Sequence, residues 1–348
     1  MNNPNNTQVL VTGGAGFLGA HCILQLLQQG YQVRATLRSL KRKDDLLQKL
    51  QQGGTSAVEN LSFVEADLTQ DKQWNTAVAG CDYVLHVASP FPIKMPKDEN
   101  QLIQPAVEGT LRVLRAARDA KVKRVVVTSS FAAVGYGART HNDAPLTEHD
   151  WTDPDGKGLS AYAKSKTLAE KAAWDFIQRE GGDLELAVIC PRFVLGPQLG
   201  SDFSSSLQAI KKLLDGEMKA VPDISYGIVD VRDVADMHLR AMVNPAARNQ
   251  RFIASSGQPM TFSEIALFLR KQLGRQASNV PTRVVPNWLV RVFALFNDEA
   301  RGVLQVLGKR LESDDSKATR LLGWTPRSRE AAILAAAECV IDSKPQAY

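Results

Sequence analysis

The sequence has little cysteine: Cys22, Cys81, Cys190 and Cys339 are the only four in 348 residues, widely spaced and without a CxxC pair. That argues against a disulfide framework or a thiolate metal centre and fits a reducing compartment. No apolar run approaches the ~20 residues a membrane-spanning helix needs. The start, Met1 to Asn6, has neither the basic region nor the apolar core of a secretory signal. Net charge is slight, +5 from 42 Lys+Arg against 37 Asp+Glu. No basic stretch is interleaved with aromatics, so neither nucleic acid nor membrane is an expected partner. The five histidines, His21, His86, His141, His149 and His238, lack ligand spacing, so no metal is expected. Internal repeats and low-complexity segments are absent. The remainder is ordinary globular material, 44% hydrophobic and 23% charged, sufficient for one or two domains. The default class is a cytoplasmic enzyme or binding protein.

What is present begins at Val9. The run Val9-Leu10-Val11-Thr12 ends in glycines at 13, 16 and 19 and leads into apolar residues at helical spacing, Ile23, Leu24, Leu26 and Leu27. This reads as strand, tight turn and helix. Such a turn needs glycine for its backbone conformation, for close approach of a phosphate and for helix–strand packing. The helix it opens offers unpaired N–H groups and a positive dipole end to a pyrophosphate. The bland reading is a glycine-rich turn that only packs. About 20 residues after the glycines, dinucleotide folds carry an acid for ribose hydroxyls or a base for a 2′-phosphate. Arg38 stands there, with Lys41, Arg42 and Lys43 behind it, which prefers NADP over NAD; a solvated charge run is the alternative.

Strands then alternate with helices. Strands are expected at 31–37, 61–68, 83–88, 122–128 and 184–189, and helices at 44–51, 73–80, 104–120 and 160–179. The alternation predicts an α/β fold, a doubly wound parallel sheet of Rossmann type. Beyond residue 191 the alternation fades into a smaller lobe. The expected division is a cofactor-binding domain over 1–191, rejoined by about 224–256, and a substrate lobe over about 192–223 and 257–348.

Asp67 falls at the carboxyl end of its strand, where open α/β sheets bind ligands. The strand ending Thr128-Ser129-Ser130 places hydroxyls at the same edge. Tyr162 and Lys166 lie four apart on the helix 160–179 and so share a face. A lysine ammonium held close, with the positive nicotinamide of an oxidised cofactor nearby, would favour the phenolate and lower the tyrosine pKa from about 10. Tyr162 would then exchange a proton with a carbonyl oxygen as hydride moves, and Ser130 would stabilise the charge on that oxygen. The alternative is a surface pair on an amphipathic helix.

These stretches, with His86-Val87-Ala88-Ser89-Pro90, Pro105 to Thr110, Glu148-His149-Asp150-Trp151, Tyr162 to Glu170 and Val229 to Ala235, resemble the extended branch of the short-chain dehydrogenase/reductases. The likeness covers nearly the whole chain and is greatest to the dihydroflavonol-reductase-like group. It implies a catalytic set of Ser130, Tyr162 and Lys166, with Ser129 the alternative serine. It also implies cofactor contacts from Thr12, Gly13, Gly16 and Gly19, with Phe17 and Leu18 meeting the pyrophosphate through backbone amides. Arg38, with Arg42 or Lys43, would meet the 2′-phosphate, and Asp67 and Leu68 would flank adenine. Val87 and Ala88 would line the cleft, and Pro191, Phe193 and Val194 would border the nicotinamide.

Two positions depart from the pattern. Ala106 replaces an asparagine found in many members. Gly135 replaces the asparagine with which plant flavonoid reductases hold the substrate ring, leaving room for a different carbonyl compound. The implied activity is NADPH-dependent reduction of a small or medium aldehyde or ketone by a monomer or homodimer. A sugar-nucleotide epimerase or dehydratase, a sterol dehydrogenase and a non-catalytic NADP sensor are the alternatives. Trp288 is a candidate cover for the substrate.

Overall fold

The computed structural model describes residues 4–90, 98–137 and 144–343; His141 lies outside them. The first half runs β1 (Gln8–Thr12), α1 (Phe17–Gln28), β2 (Gln32–Leu37), α2 (Lys43–Gln52), β3 (Leu61–Glu65) and α3 (Trp74–Val78). It continues through β4 (Tyr83–His86), α4 (Asn100–Asp119), β5 (Arg124–Thr128), α5 (Ala132–Gly135), α6 (Ala161–Glu180) and β6 (Glu185–Pro191). The rest begins with β7 (Phe193–Leu195), α7 (Ser205–Leu214), β8 (Val221–Pro222), β9 (Ser225–Tyr226), β10 (Ile228–Asp230), α8 (Val231–Val243) and β11 (Gln250–Ala254). It ends with β12 (Met260–Thr261), α9 (Phe262–Leu273), β13 (Val284–Val285), α10 (Asn287–Phe293), α11 (Asp298–Val303), α12 (Ser316–Leu322) and α13 (Arg329–Asp342).

Seven strands form one sheet in the order β11-β6-β5-β4-β1-β2-β3, every pair parallel. The central strands, buried on both faces, are apolar almost throughout, as parallel strands must be, whereas the edge strand β3 leaves Ser62 and Glu65 exposed. Alternation divides them: Val9 and Val11 join a core with α1, α2 and α8, whereas Leu10 joins one with α3, α4 and α6. This is the expected doubly wound Rossmann sheet. A third apolar cluster gathers α7, α9 and α13 around Leu195, Val221 and Ile228.

The order reverses between β1 and β4, and this switch point is where such sheets bind ligands. It is tied across by Thr12, whose hydroxyl meets His86 Nδ1 at 2.9 Å and accepts the Ala88 N–H at 3.0 Å. The strand β5 opens on a buried charge. Arg124 pairs with Glu185 at 2.5 Å and donates to the carbonyls of Ala241, Met242 and Asn244, meeting the orphan acceptors at the end of α8. Pro105 does not begin α4, which starts at Asn100 and carries it inside.

Candidate active site

The glycine turn divides its work among three residues. Gly13 has φ +70, open to glycine and costly for other residues. A Cβ at Gly19 would stand well inside 3.0 Å of the Gly13 carbonyl oxygen, so α1 can lie against the turn only without a side chain there. Gly16, at φ −76 and ψ 168, is the N-cap of α1 and supplies no side-chain hydrogen bond. The first N–H groups of the helix, from Phe17 and Leu18, therefore receive no cap from it. This cradle fits a pyrophosphate, because it combines close approach, free donors and the positive end of a dipole. Lys49, which sequence reasoning passed over as part of an amphipathic helix, is buried on α2 and donates to the Ala15 carbonyl at 3.1 Å.

Arg38 follows β2 directly and is exposed. Its two candidate helpers are engaged elsewhere: Arg42 pairs with Asp45 at 2.7 Å and Asp202 at 2.8 Å, and the Lys43 ammonium lies 5.3 Å from the Phe63 ring centre. Asp67 and Leu68 lie just beyond β3, which ends at Glu65 rather than running to 68. Thr69 N–H and hydroxyl both donate to Asp67 at 2.8 Å. These bonds, with the Arg38 charge, hold its carboxyl below the ordinary range. Val87 and Ala88 are half-buried at the exit of β4.

Across the same sheet edge stand the hydroxyls of β5. Ser129 donates to Glu170 at 2.5 Å and is thereby committed to the interior. Ser130 Oγ accepts the Ala132 N–H at 3.1 Å and acts on the Tyr162 hydroxyl, favouring its ionised form. Ser160 caps α6 by accepting the Ala163 N–H at 3.2 Å, which puts Tyr162 in the first turn and Lys166 one turn on. Lys166 Nζ donates to the Thr128 carbonyl at 3.3 Å.

The electrostatics differ from the sequence expectation. Burial is the largest influence on Tyr162 and raises its pKa, while the nearby Ser130 offsets part of that rise. Burial also pulls the Lys166 ammonium down to about 8 and the nearby His86 imidazole to about 3.

Pro191 ends β6, and Phe193 and Val194 open β7. Phe193 stacks on Tyr226 with centroids 5.0 Å apart and tilts against Phe262 at 6.3 Å. Tyr136, beside Phe131 at 6.0 Å, packs with Tyr162 on Ala132, Leu159 and Ala163. Aromatic surface thus adjoins the tyrosine hydroxyl. The room expected beside Gly135 is taken by Leu146, whose Cδ1 lies where a Cβ would go. Trp288 is 65% exposed on α10, and among the described residues no contact places it over the site. Among the described residues no group of His, Cys, Asp or Glu could hold a metal ion, and no helix is long and apolar enough to cross a membrane.

Residues 9–254 match the model of the NAD dependent epimerase/dehydratase family. The chain belongs to that family. Within this extended short-chain dehydrogenase/reductase family it falls in the dihydroflavonol-reductase-like group. It is 36% identical over 269 residues to a cinnamoyl-CoA reductase of Medicago truncatula, covering 76% of this chain and 80% of that one. Dihydroflavonol 4-reductase of Gerbera hybrida is 36% identical over 267 residues, covering 74% and 70%. In structure the family member is similar to yeast methylglyoxal/isovaleraldehyde reductase Gre2 complexed with NADPH. The TM-score is 0.79 at 26% identity, over 97% of this chain and 98% of that one.

Proposed function

We propose that this chain, an NADP-dependent oxidoreductase of the extended short-chain family, reduces a small or medium-sized aldehyde or ketone, with Tyr162 as the proton donor. The observation that carries the reading is that Ser130, just past β5, and Tyr162 and Lys166, one turn apart on α6, meet at the sheet edge that also holds the glycine cradle, where Lys166 donates to the Thr128 carbonyl at 3.3 Å.

Bound NADPH supplies the hydride. The N–H groups of Phe17 and Leu18, with the turn of Thr12, Gly13, Gly16 and Gly19, would hold its pyrophosphate, and Arg38 its 2′-phosphate. Asp67 and Leu68 would flank adenine, Val87 and Ala88 the cleft, and Pro191, Phe193 and Val194 the nicotinamide. Ser130 would donate to the substrate oxygen, where negative charge develops. Tyr162, kept protonated by burial, would deliver its proton to that oxygen. The ammonium of Lys166 would stabilise the phenolate left behind and meet the cofactor ribose.

The substrate side supports an uncharged carbonyl compound. Phe193 stacks on Tyr226, Tyr136 packs with Tyr162, and Arg192, 3.9 Å from the Phe131 ring centre, is engaged by Ser313 at 2.8 Å and by the Leu311 carbonyl at 2.6 Å. A sugar nucleotide would need free cations there for its diphosphate. Residues 192–223 and 257–348 would form the substrate lobe of a cytoplasmic monomer or homodimer.

A screen of NADPH oxidation over aldehydes, ketones, diketones and flavanonols locates the substrate. On the best one, Tyr162→Phe lowers kcat by about 100-fold or more and leaves NADPH affinity within about twofold. Near-wild-type turnover by that variant removes Tyr162 from the role.

A further inference from the structure

Behind the reaction residues lies a buried ion pair that the scheme above does not use. Glu170 stands on α6 one turn past Lys166, is 1% exposed, and pairs with Arg251 of β11, itself 6% exposed. Ser129 donates to the Glu170 carboxylate at 2.5 Å and Trp174 Nε1 at 3.2 Å. The Arg251 guanidinium lies 3.7 Å from the Trp151 ring centre. It donates to the carbonyls of Glu148 at 3.0 Å, Asp150 at 2.7 Å and Ala133 at 3.2 Å. Replacing such a pair by apolar residues often leaves a fold as stable or more so, so stability alone does not account for charges placed here.

Two connections lead from the pair into the site. Ser129 precedes Ser130, so the hydroxyl tied to Glu170 fixes the backbone that presents the reacting serine. Glu170 and Lys166, four apart on one helix face, also line one small cavity with His86, Ser89 and Thr110. The groups facing Lys166 are His86 on β4, the Thr128 carbonyl on β5, Cys190 on β6 and Glu170 on its own helix, with Arg251 of β11 behind Glu170. Burial pushes the Cys190 thiol far up, so Glu170 is the anion among them.

We propose that Glu170, anchored by Arg251, is a positioning residue of the reaction: it holds the Ser129–Ser130 segment in place and supplies the counter-charge that keeps Lys166 an ammonium. Against burial, which pulls Lys166 down to about 8, Glu170 acts to raise it. This rests on the reading of Lys166 as a reaction residue.

The test compares pH–kcat profiles of the full chain. With its counter-anion gone, Lys166 gives up its proton more readily. The alkaline limb therefore moves to lower pH in Glu170→Gln by roughly one unit. The double variant Glu170→Gln/Arg251→Gln leaves neither buried charge unpaired and moves the limb the same way but less far, because the more distant Arg251 cation is lost with the anion, so it carries the test if the single variant does not fold. Ser129→Ala cuts only the link to the serine segment: kcat falls several-fold at every pH and the limb stays in place. A wild-type limb in the folded charge variants, or wild-type kcat in Ser129→Ala, overturns the proposal. Lys166→Met separates the two layers: if it turns over as wild type does, the role given to Lys166 fails, whereas its loss of activity beside an unmoved limb condemns Glu170 alone.

Discussion

Replacing the glycines of the first turn one at a time by alanine separates packing from cofactor binding. At Gly19 the new methyl would press on the carbonyl oxygen of Gly13, well inside 3.0 Å, and would also touch the Gly13 carbonyl carbon at 3.0 Å and the Gly14 Cα at 3.2 Å. All three are backbone atoms and cannot rotate away, so the first turn of α1 must lift off the sheet edge. Overpacking of this kind costs about 1–3 kcal/mol, a Tm loss of a few degrees in a chain of this size. At Gly16 the backbone is extended, and the nearest atom to a new Cβ is the same oxygen at 3.2 Å, so Gly16→Ala should lose less stability than Gly19→Ala. Its methyl, however, would cover the face a phosphate must approach. Losing two charge-assisted hydrogen bonds there costs about 3 kcal/mol or more, roughly a 100-fold rise in the NADPH Kd. Thermal melts and fluorescence titration with NADPH read both quantities. The reasoning fails if Gly16→Ala binds NADPH as tightly as wild type, or if Gly19→Ala keeps the wild-type Tm.

Arg38→Asp should cut the ratio of kcat/KM for NADPH over NADH by about 100-fold, by replacing the guanidinium with a repelling carboxylate. Arg42→Ala, whose guanidinium serves Asp45 and Asp202, should leave that ratio within about threefold; an unchanged ratio in Arg38→Asp refutes the assignment. Acid should destabilise the fold through its buried histidines. Desolvation lowers His21 and His238 to about 4 from 6.5, so as pH falls below about 6.5 the unfolded chain takes up protons that the folded protein refuses. Stability is complete above that pH and declines towards pH 4, by about 3 kcal/mol for each of the two. Melts between pH 7 and 4.5 should show the decline, and His238→Gln should make it shallower; an equal slope in the variant shows that His238 does not contribute.

The sheet was legible because its strands are apolar on both faces and alternate with amphipathic helices, a pattern set by local sequence. Even the return of a strand near residue 252 could be read, and β11 lies there. The glycine turn and the Tyr162–Lys166 spacing were legible because each depends on residues within one turn of chain. Contacts between distant residues were not. Nothing local shows that Arg42 faces Asp202 or that Leu146 fills the space beside Gly135, since both partners arrive by tertiary packing. The burial that raises the Tyr162 pKa was not legible for the same reason: charge neighbours can be guessed from spacing, whereas desolvation depends on everything packed around the hydroxyl. Glu170 stood in plain view one turn after Lys166, but Arg251, which gives it meaning, is 81 residues away.

That separation also sets an order of assembly. Every residue assigned to the reaction has been synthesised by position 166, yet β6 has no outer neighbour and Glu170 no counter-ion until β11 leaves the ribosome. A nascent chain cut at residue 200 would carry the whole reaction set around a buried carboxylate with nothing to neutralise it. The ion pair behind the reaction set would therefore close late in translation, with the emergence of Arg251.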